Sequence, residues 1–373
     1  MKYIKLKEVC MINMGQSPDS SSYNEKKEGI PFYQGNADFG EKYPITRVWC
    51  NTPIKIAQSG DILISVRAPI GALNYAKEEC CIGRGLAAIT PDKEKMSLEF
   101  VYWFLKGKNL ELNRKGTGST FKAISRKVLE EIMIPDINLK KQCEYANVLE
   151  KIHAAIQMRK QELKHLDFLL KARFVEMFGD PVSNSRELPE ATLPEMGEFG
   201  RGVSKHRPRN DPKLLGGKYP LIQTGDVAAA DLYITSYTDT YSDIGLAQSK
   251  IWNKGTLCIT IAANIAKTAI LDFNACFPDS VVGFMANEKT NNVFIHYWFS
   301  FFQRILEIQA PESAQKNINL KILSELKVIC PKKEEQDAFA TFVAQVDKSK
   351  VAVQKALDET QILFDSLMQK YFG

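Results

Sequence analysis

The feature that most constrains this chain is that it repeats itself. Gly15-Gln16-Ser17 recurs as Gly202-Val203-Ser204, and Tyr33-Gln34-Gly35, shortly after Pro31, recurs as Ile222-Gln223-Thr224-Gly225, shortly after Pro220. Gly60-Asp61-Ile62-Leu63-Ile64 matches Gly255-Thr256-Leu257-Cys258-Ile259, and Ala68-Pro69-Ile70-Gly71 matches Ala263-Asn264-Ile265-Ala266. Tyr102-Trp103-Phe104 comes back as Tyr297-Trp298-Phe299. The offset stays at about 190 residues and drifts by only a few, as expected where insertions fall in surface loops. Two tandem copies of one α+β domain, each followed by a helix, is the simplest account of 373 residues.

The helices follow the same rule. Pro135 closes the apolar run Glu131-Ile132-Met133-Ile134, and Pro331 closes Leu326-Lys327-Val328-Ile329-Cys330. After each proline comes a helical stretch that ends at Phe178-Gly179 or Phe372-Gly373, and Asp180-Pro181 forbids continuation in the first copy. On a heptad grid the first stretch carries Gln142, Leu149, Ile156, Leu163, Leu170 and Met177, interleaved with Tyr145, Ile152, Arg159, Leu166 and Arg173. The second, in the same phase, carries Gln336, Val343, Lys350, Leu357, Phe364 and Tyr371, interleaved with Phe339, Val346, Val353, Thr360 and Leu367. About 40 helical residues span roughly 60 Å, more than one domain of this size can cover. The stripe residues Leu149, Ile156, Leu163, Leu170, Val343, Leu357 and Phe364 are therefore expected to bind a partner, first of all the other helix. The polar misfits Arg159, Arg173, Lys350 and Thr360 do not coincide between copies, which points to antiparallel pairing. The expected boundaries are 1–137 and 180–331 for the domains, 138–179 and 332–373 for the helices.

Composition excludes more than it assigns. No apolar run approaches the roughly 20 residues a membrane span needs, and the alternating start Met1-Lys2-Tyr3-Ile4-Lys5 resembles no signal peptide, so a cytoplasmic location is the default expectation. The eight cysteines form no CxxC pair and no Cys/His cluster, so no metal site is expected. The chain has no GxxxxGK[ST] loop, no strand-borne GxGxxG, and no Asn/Asp-Pro-Pro-aromatic motif of amino-methyltransferases. Pro18-Asp19 followed by Glu25-Lys26-Lys27 imitates a metal-dependent nuclease motif, but it sits in a serine-rich loop. The four histidines, 153, 165, 206 and 296, have no nucleophile beside them.

A net charge of +5 permits a nucleic-acid partner without demanding one. The local signal is sharper. Arg201-Gly202-Val203-Ser204-Lys205-His206-Arg207-Pro208-Arg209 puts four full positive charges into nine residues of a glycine- and proline-punctuated loop, with Lys218 close behind. Such residues neutralise phosphates or read guanine by bidentate hydrogen bonds. The equivalent first-copy loop, Gln16 and Ser17 to Tyr23 and Asn24, is polar instead, as two domains reading different half-sites would require. Gln34 and Gln223 lie at matched places in the repeat, and Arg67 and Asn264 are each expected to be held at a strand end. Arg84, Lys122 and Lys316 lie in further loops that could reach phosphate.

At these residues the chain resembles the specificity subunits of type I restriction-modification enzymes. The resemblance runs over essentially the whole length and rests on Gly15–Pro18, Gly29-Ile30-Pro31-Phe32 with Gln34-Gly35, Val66–Gly71 and Ile82–Leu86. In the second copy it rests on Ser204–Asn210, Gly216–Pro220, Gln223–Asp226 and Gln248-Ser249-Lys250. It implies an α+β fold of two target recognition domains related by pseudo-twofold symmetry and separated by two long antiparallel coiled-coil spacer helices. It implies no catalysis by this chain and recognition of a split double-stranded DNA target, one half-site per domain. The implied partners are two methyltransferase subunits and the restriction subunits, which would carry S-adenosylmethionine, ATP and Mg2+. Leu139-Lys140-Lys141-Gln142 departs from the acidic residue that the family carries before this glutamine, which puts the Gln142 contact in question, whereas Glu334-Glu335-Gln336 keeps the pattern. The competing expectation is a stand-alone nuclease or methyltransferase.

Overall fold

Ile62-Leu63-Ile64-Ser65 and Leu257-Cys258-Ile259-Thr260 are apolar or β-branched at nearly every position, so each suits a strand covered on both faces. All eight residues are buried in the computed structural model, which describes residues 2–117, 122–262, 264–309 and 318–373. The chain forms two units, one of residues 1–160 with 355–373 and one of residues 161–354.

In the first unit Ile62–Ser65 lies inside an antiparallel sheet ordered Cys10–Met14, Leu86–Pro91, Ile62–Ser65, Leu73–Tyr75. A second sheet is ordered Tyr23–Asn24, Val48–Cys50, Ile30–Tyr33, Cys80–Ile82, Ile56–Ala57, with Ile30–Tyr33 and Cys80–Ile82 parallel. A short antiparallel pair, Tyr3–Lys5 with Met133–Pro135, completes the unit.

The second unit repeats this order. Gly197–Arg201, Val281–Ala286, Leu257–Thr260 and Thr268–Leu271 form one sheet, extended by Tyr233–Ile234. Asp239–Tyr241, Leu215–Leu221, Ala275–Cys276 and Ile251–Trp252 form the other, again with one parallel pair, Leu221 beside Cys276. Glu190–Ala191 with Val328–Ile329 is the short pair. The sequence repeat is thus a repeat of topology, apart from Tyr23–Asn24, which only the first unit has, and Tyr233–Ile234, which only the second has.

One corner shows why glycine recurs. Gly15 N–H donates to the Leu86 carbonyl (2.9 Å) and Gln16 N–H to the Ile82 carbonyl (3.0 Å). Gly202 N–H donates likewise to Val281 (2.9 Å) and Val203 N–H to Phe277 (3.1 Å). A Cβ at Gly15 would lie 2.2 Å from the Gly83 oxygen, and one at Gly202 would lie 2.3 Å from the Phe277 oxygen, so no side chain fits either place.

The long helices are Leu139–Phe178 and Lys333–Phe372. A buried glutamine ties the start of each to its own unit. Gln142 Nε2 donates to the Lys95 and Ile137 carbonyls (2.9 and 2.7 Å), and its Oε1 accepts from Ser97 N–H (2.8 Å). Gln336 Nε2 donates to the Lys289 and Pro331 carbonyls (3.0 and 2.9 Å), and its Oε1 accepts from the Thr290 hydroxyl (2.7 Å). The missing acidic residue before Gln142 therefore leaves that contact intact. Both the oxygen and the nitrogen of each amide are met, where an unmet buried group costs about 1–3 kcal/mol.

Within each unit the two helices run in opposite directions. In the first, Tyr145 stacks on Tyr371 (3.9 Å, 4°), His153 lies 6.1 Å from Phe364, and Arg159 donates to the Thr360 hydroxyl. In the second, Asp167 pairs with Lys350 (2.7 Å) and Phe174 packs on Phe339 (5.3 Å). Antiparallel pairing was expected because the misfits failed to coincide between copies; in the observed register two of them, Arg159 and Thr360, meet each other. Lys350 sits between Asp167 and Asp231 with its side chain mostly covered, and Arg173 pairs with Glu176 (2.8 Å).

The apolar stripe is spent inside the chain. Leu149, Ile156, Leu170, Val343, Leu357 and Phe364 are buried within the chain and Leu163 is partly covered. Trp103 and Trp298, matched in the repeat, are both fully buried. No helix among the described residues is long and apolar enough to cross a membrane.

Two histidines are held uncharged by this packing. His153, against Trp103, has its pKa lowered to about 4 by burial and by Lys106, whose Nζ is 3.2 Å away. Burial likewise lowers His296 to about 4, with the Thr268 hydroxyl 3.0 Å from its Nδ1. Below the usual histidine range near 6.5 the unfolded chain takes up protons that the folded chain refuses. Stability is then full above that range and falls as pH drops toward 4. The urea midpoint should decrease from pH 7 to pH 5, and less steeply in His153→Gln.

Candidate nucleic-acid interface

The repeated corner is also where the cationic candidates gather. In the first unit Gln34, Arg67 and Arg84 line one shallow groove of about 460 Å³ together with Asn36, Asp38 and Pro69. Arg67 follows strand Ile62–Ser65, and Arg84 sits in the turn Gly83-Arg84-Gly85 between Cys80–Ile82 and Leu86–Pro91. That turn is pinned at both ends: Gly83 N–H donates to the Tyr33 carbonyl (2.8 Å) and Gly85 N–H to the Gln34 carbonyl (3.1 Å). Arg84 N–H donates to Ser17 Oγ (3.3 Å), which assigns the Ser17 hydroxyl to the turn. The guanidiniums of Arg67 and Arg84 are exposed and have no hydrogen-bond or ion-pair partner among the described residues. Lys122 is exposed beside them, its carbonyl accepting from Ala68 N–H (3.1 Å).

Other first-copy candidates divide. Gln16 and Gln34 are exposed. Tyr23 donates its hydroxyl to the Pro18 carbonyl (2.8 Å) and stacks on Phe32 (4.6 Å), so it shapes its loop.

In the second unit the basic loop is built quite differently. Gln248 Oε1 accepts from Lys205 N–H (2.6 Å) and His206 N–H (3.0 Å), and Ser249 donates to the Val203 carbonyl (2.7 Å). His206 Nε2 lies 3.0 Å from Asp211, whose carboxyl is held low by the Lys213 backbone N–H and then by His206. Arg207 Nη1 donates to the Ser204 and His206 carbonyls (2.6 and 2.8 Å), and its Nη2 to Asp279 (3.3 Å). Arg209 pairs with the other oxygen of Asp279. The loop's charge is thus partly cancelled from outside, which the local sequence does not reveal. Arg201, at the end of Gly197–Arg201, and Lys205 are exposed. Lys218 lies apart, 3.9 Å from Asp243 and over the ring of Tyr219.

Gln223 caps Thr224–Ala229 and donates to Asp239 (2.5 Å). Its backbone repeats that of Gln34: each N–H donates to an aspartate, Asp38 or Asp226, at 2.7 Å. Asn264 stands at the place of Pro69, as the repeat indicates: its carbonyl accepts from Thr260 as that of Pro69 accepts from Ser65. Lys316 lies outside the described residues. Sequence reasoning left out Gln248 and Asp279; the only available signal was Gln248-Ser249-Lys250, one of the stretches carrying the family resemblance.

Comparison with known proteins decides the family. The type I restriction modification DNA specificity domain matches residues 1–167 and again 190–360. The chain belongs to the type I restriction-modification specificity subunits. The MjaX specificity subunit of Methanocaldococcus jannaschii is 45% identical over 156 residues, 42% of this chain and 37% of that protein. The EcoBI specificity subunit of Escherichia coli is 21% identical over 99% of this chain and 85% of its own length. The crystal structure of a type I system S subunit from M. genitalium covers 100% of this chain and 96% of its own, with 16% identity and a TM-score of 0.64. A subunit solved in work on assembly and conformational transition of the type I system superposes with a TM-score of 0.62 at 17% identity, over 100% of this chain and 97% of its own. As a specificity subunit the chain is a recognition component, not a catalyst.

Gln248, at the base of the basic loop of this specificity subunit, is one of the side chains that hold it. Gln248→Ala removes the acceptor of two loop amides. Trypsin should then cut faster after Lys205 and Arg209, as read by peptide mapping, with the thermal midpoint nearly unchanged.

Proposed function

We propose that each unit reads one half of a split double-stranded DNA target and that the chain hands this address to catalytic partners. The observation that carries the reading is the pair of guanidiniums, Arg67 and Arg84, which have no partner among the described residues and flank one groove of the first unit. An exposed guanidinium on a fixed turn, with no partner among the described residues, suits a phosphate or the acceptor edge of guanine. In the second unit the basic loop 201–209 rises from the matching corner. Different side chains on one backbone plan are what two unlike half-sites require.

The two long helices then act as an antiparallel coiled-coil spacer between two domains related by a pseudo-twofold, with the domains at 1–137 and 180–331. Opposed pairing within each unit, from Tyr145 with Tyr371 to Phe174 with Phe339, supports this. A stiff spacer sets the distance between half-sites, as dimer geometry does in helix-turn-helix proteins. Two methyltransferase subunits dock on the helices and restriction subunits join them, bringing S-adenosylmethionine, ATP and Mg2+; the complex works in the cytoplasm. The surface left for docking is not the heptad stripe but its outer neighbours. Met158 and Ile362 are 67% and 69% exposed, and Phe168 and Val351 are 73% and 70% exposed, which leaves apolar surface open to a partner.

Two experiments test these claims. In the complex with the methyltransferase, Arg67→Ala and Arg84→Ala should each weaken binding to the modified target by about tenfold. Neither should move the thermal midpoint, because neither guanidinium has a partner to lose among the described residues. Unchanged binding by both variants removes the groove from the interface, and methylation or cleavage by the isolated chain would favour a stand-alone enzyme instead. Phe168→Asp and Ile362→Asp should abolish co-purification with the methyltransferase while each chain stays folded by circular dichroism.

A further inference from the structure

The hydrogen bonds of the repeated corner align the two units residue by residue. Ile82 and Phe277 accept from the amide after the close-approach glycine, and Leu86 and Val281 accept from the glycine itself. Leu86 N–H donates to the Gly83 carbonyl (2.9 Å) and Val281 N–H to the Pro278 carbonyl (3.0 Å). Between these fixed points lie Gly83-Arg84-Gly85 in one unit and Pro278-Asp279-Ser280 in the other. Arg84 and Asp279 therefore stand at the same place with opposite charges.

The consequence differs between units. In the first, the turn itself delivers a guanidinium to the groove. In the second, the turn delivers a carboxylate, and that carboxylate takes hold of two guanidiniums from the loop before it, Arg207 through Oδ2 (3.3 Å) and Arg209 through Oδ1. The two arginines are not equivalent. Arg207 spends both hydrogens of Nη1 on the Ser204 and His206 carbonyls and one of Nη2 on Asp279, so it closes the loop on itself. Arg209 spends only Nη2, leaving Nε and Nη1 without a partner among the described residues, on a side chain still 46% exposed. An arginine anchored by one edge of its planar fork keeps the other edge at a set angle, which an arginine on a free loop does not.

We infer that Asp279 is a positioning residue for DNA recognition: it anchors Arg209 so that the free edge of its guanidinium reads one base of the second half-site, while Arg207 clamps the loop. The inference rests on the DNA-reading function proposed above. It assigns base reading to Arg209 and a supporting role to Arg207, and it gives Arg84 and Arg209 the same task by different routes. Charge alone argues against a mainly phosphate-binding role, since one carboxylate shared by two guanidiniums leaves a net charge of only one from the three groups.

The test uses the full chain in complex with its methyltransferase partner and a duplex library randomised over both half-sites, with binding followed as a function of salt. Asp279→Asn keeps the shape and removes the charge. Expected is a loss of base preference of about tenfold or more at one position of the half-site read by residues 180–331, with the other half-site unaffected. Asp279→Glu should restore part of that preference, and Arg209→Lys, which keeps the charge but loses the fork, should relax the same position. If Asp279→Asn instead binds every duplex more tightly, with a salt slope steeper by about one and base preference intact, Asp279 is merely a neutralising charge and the inference falls. It falls equally if Asp279→Asn and Arg209→Lys relax different positions or none. A wild-type complex that prefers no duplex at all would overturn the DNA-reading function itself.

Discussion

Everything in this chain depends on how two 40-residue helices are covered. Neither is long and apolar all round, and neither can be buried by the domain that precedes it. Each unit solves the problem by borrowing the far part of the other helix. In the first unit Phe364 packs on Trp103 (5.6 Å) and Phe372 on Phe100 and Phe104 (5.3 and 5.7 Å), so the core around residues 98–107 is closed by residues almost at the other end of the chain. In the second unit Phe174 and Phe178 share one cluster with Phe294 and Phe339. A unit with such long-range closure is committed to the pairing direction of its helices, because a parallel pair would bring the wrong ends to both cores.

Polar groups then decide register rather than bulk stability. The glutamines Gln142 and Gln336 bind three backbone or hydroxyl groups each at the root of their helix, where an apolar residue of the same size would leave them unmet. Arg159 with Thr360, and Lys350 with Asp167 and Asp231, place polar pairs where the heptad alone would ask for apolar ones. Such pairs add little net energy but penalise a slipped register, as buried polar positions do in coiled coils.

The recognition surface follows the opposite logic. Its framework is the most repetitive part of the molecule, with matched glycines, matched amide bonds and a matched parallel strand pair, while the side chains it presents are unlike. One backbone plan thus carries an arginine at Arg84, unpaired among the described residues, and a carboxylate at Asp279. Specificity can diverge between the two copies because the corner's hydrogen bonds are made by backbone atoms, which any residue supplies.

The repeat, the two-domain plan, the long helices and the family were legible in the sequence, since each is written in periodicity or in short motifs that local chemistry enforces. Glycines recur where a Cβ would collide, and apolar residues recur where a helix must be covered. Three things were decided only by tertiary structure. The heptad stripe turned out to be buried within the chain, leaving Met158, Phe168, Val351 and Ile362 exposed, because periodicity marks a covered face without saying what covers it. Asn264 proved to lend its backbone carbonyl to the turn, accepting from Thr260 as Pro69 accepts from Ser65, a contact its residue type does not announce. And the basic loop proved to be half neutralised, its arginines held by a carboxylate some 70 residues away in sequence. A charge pattern read along the chain cannot register a partner that only folding brings near.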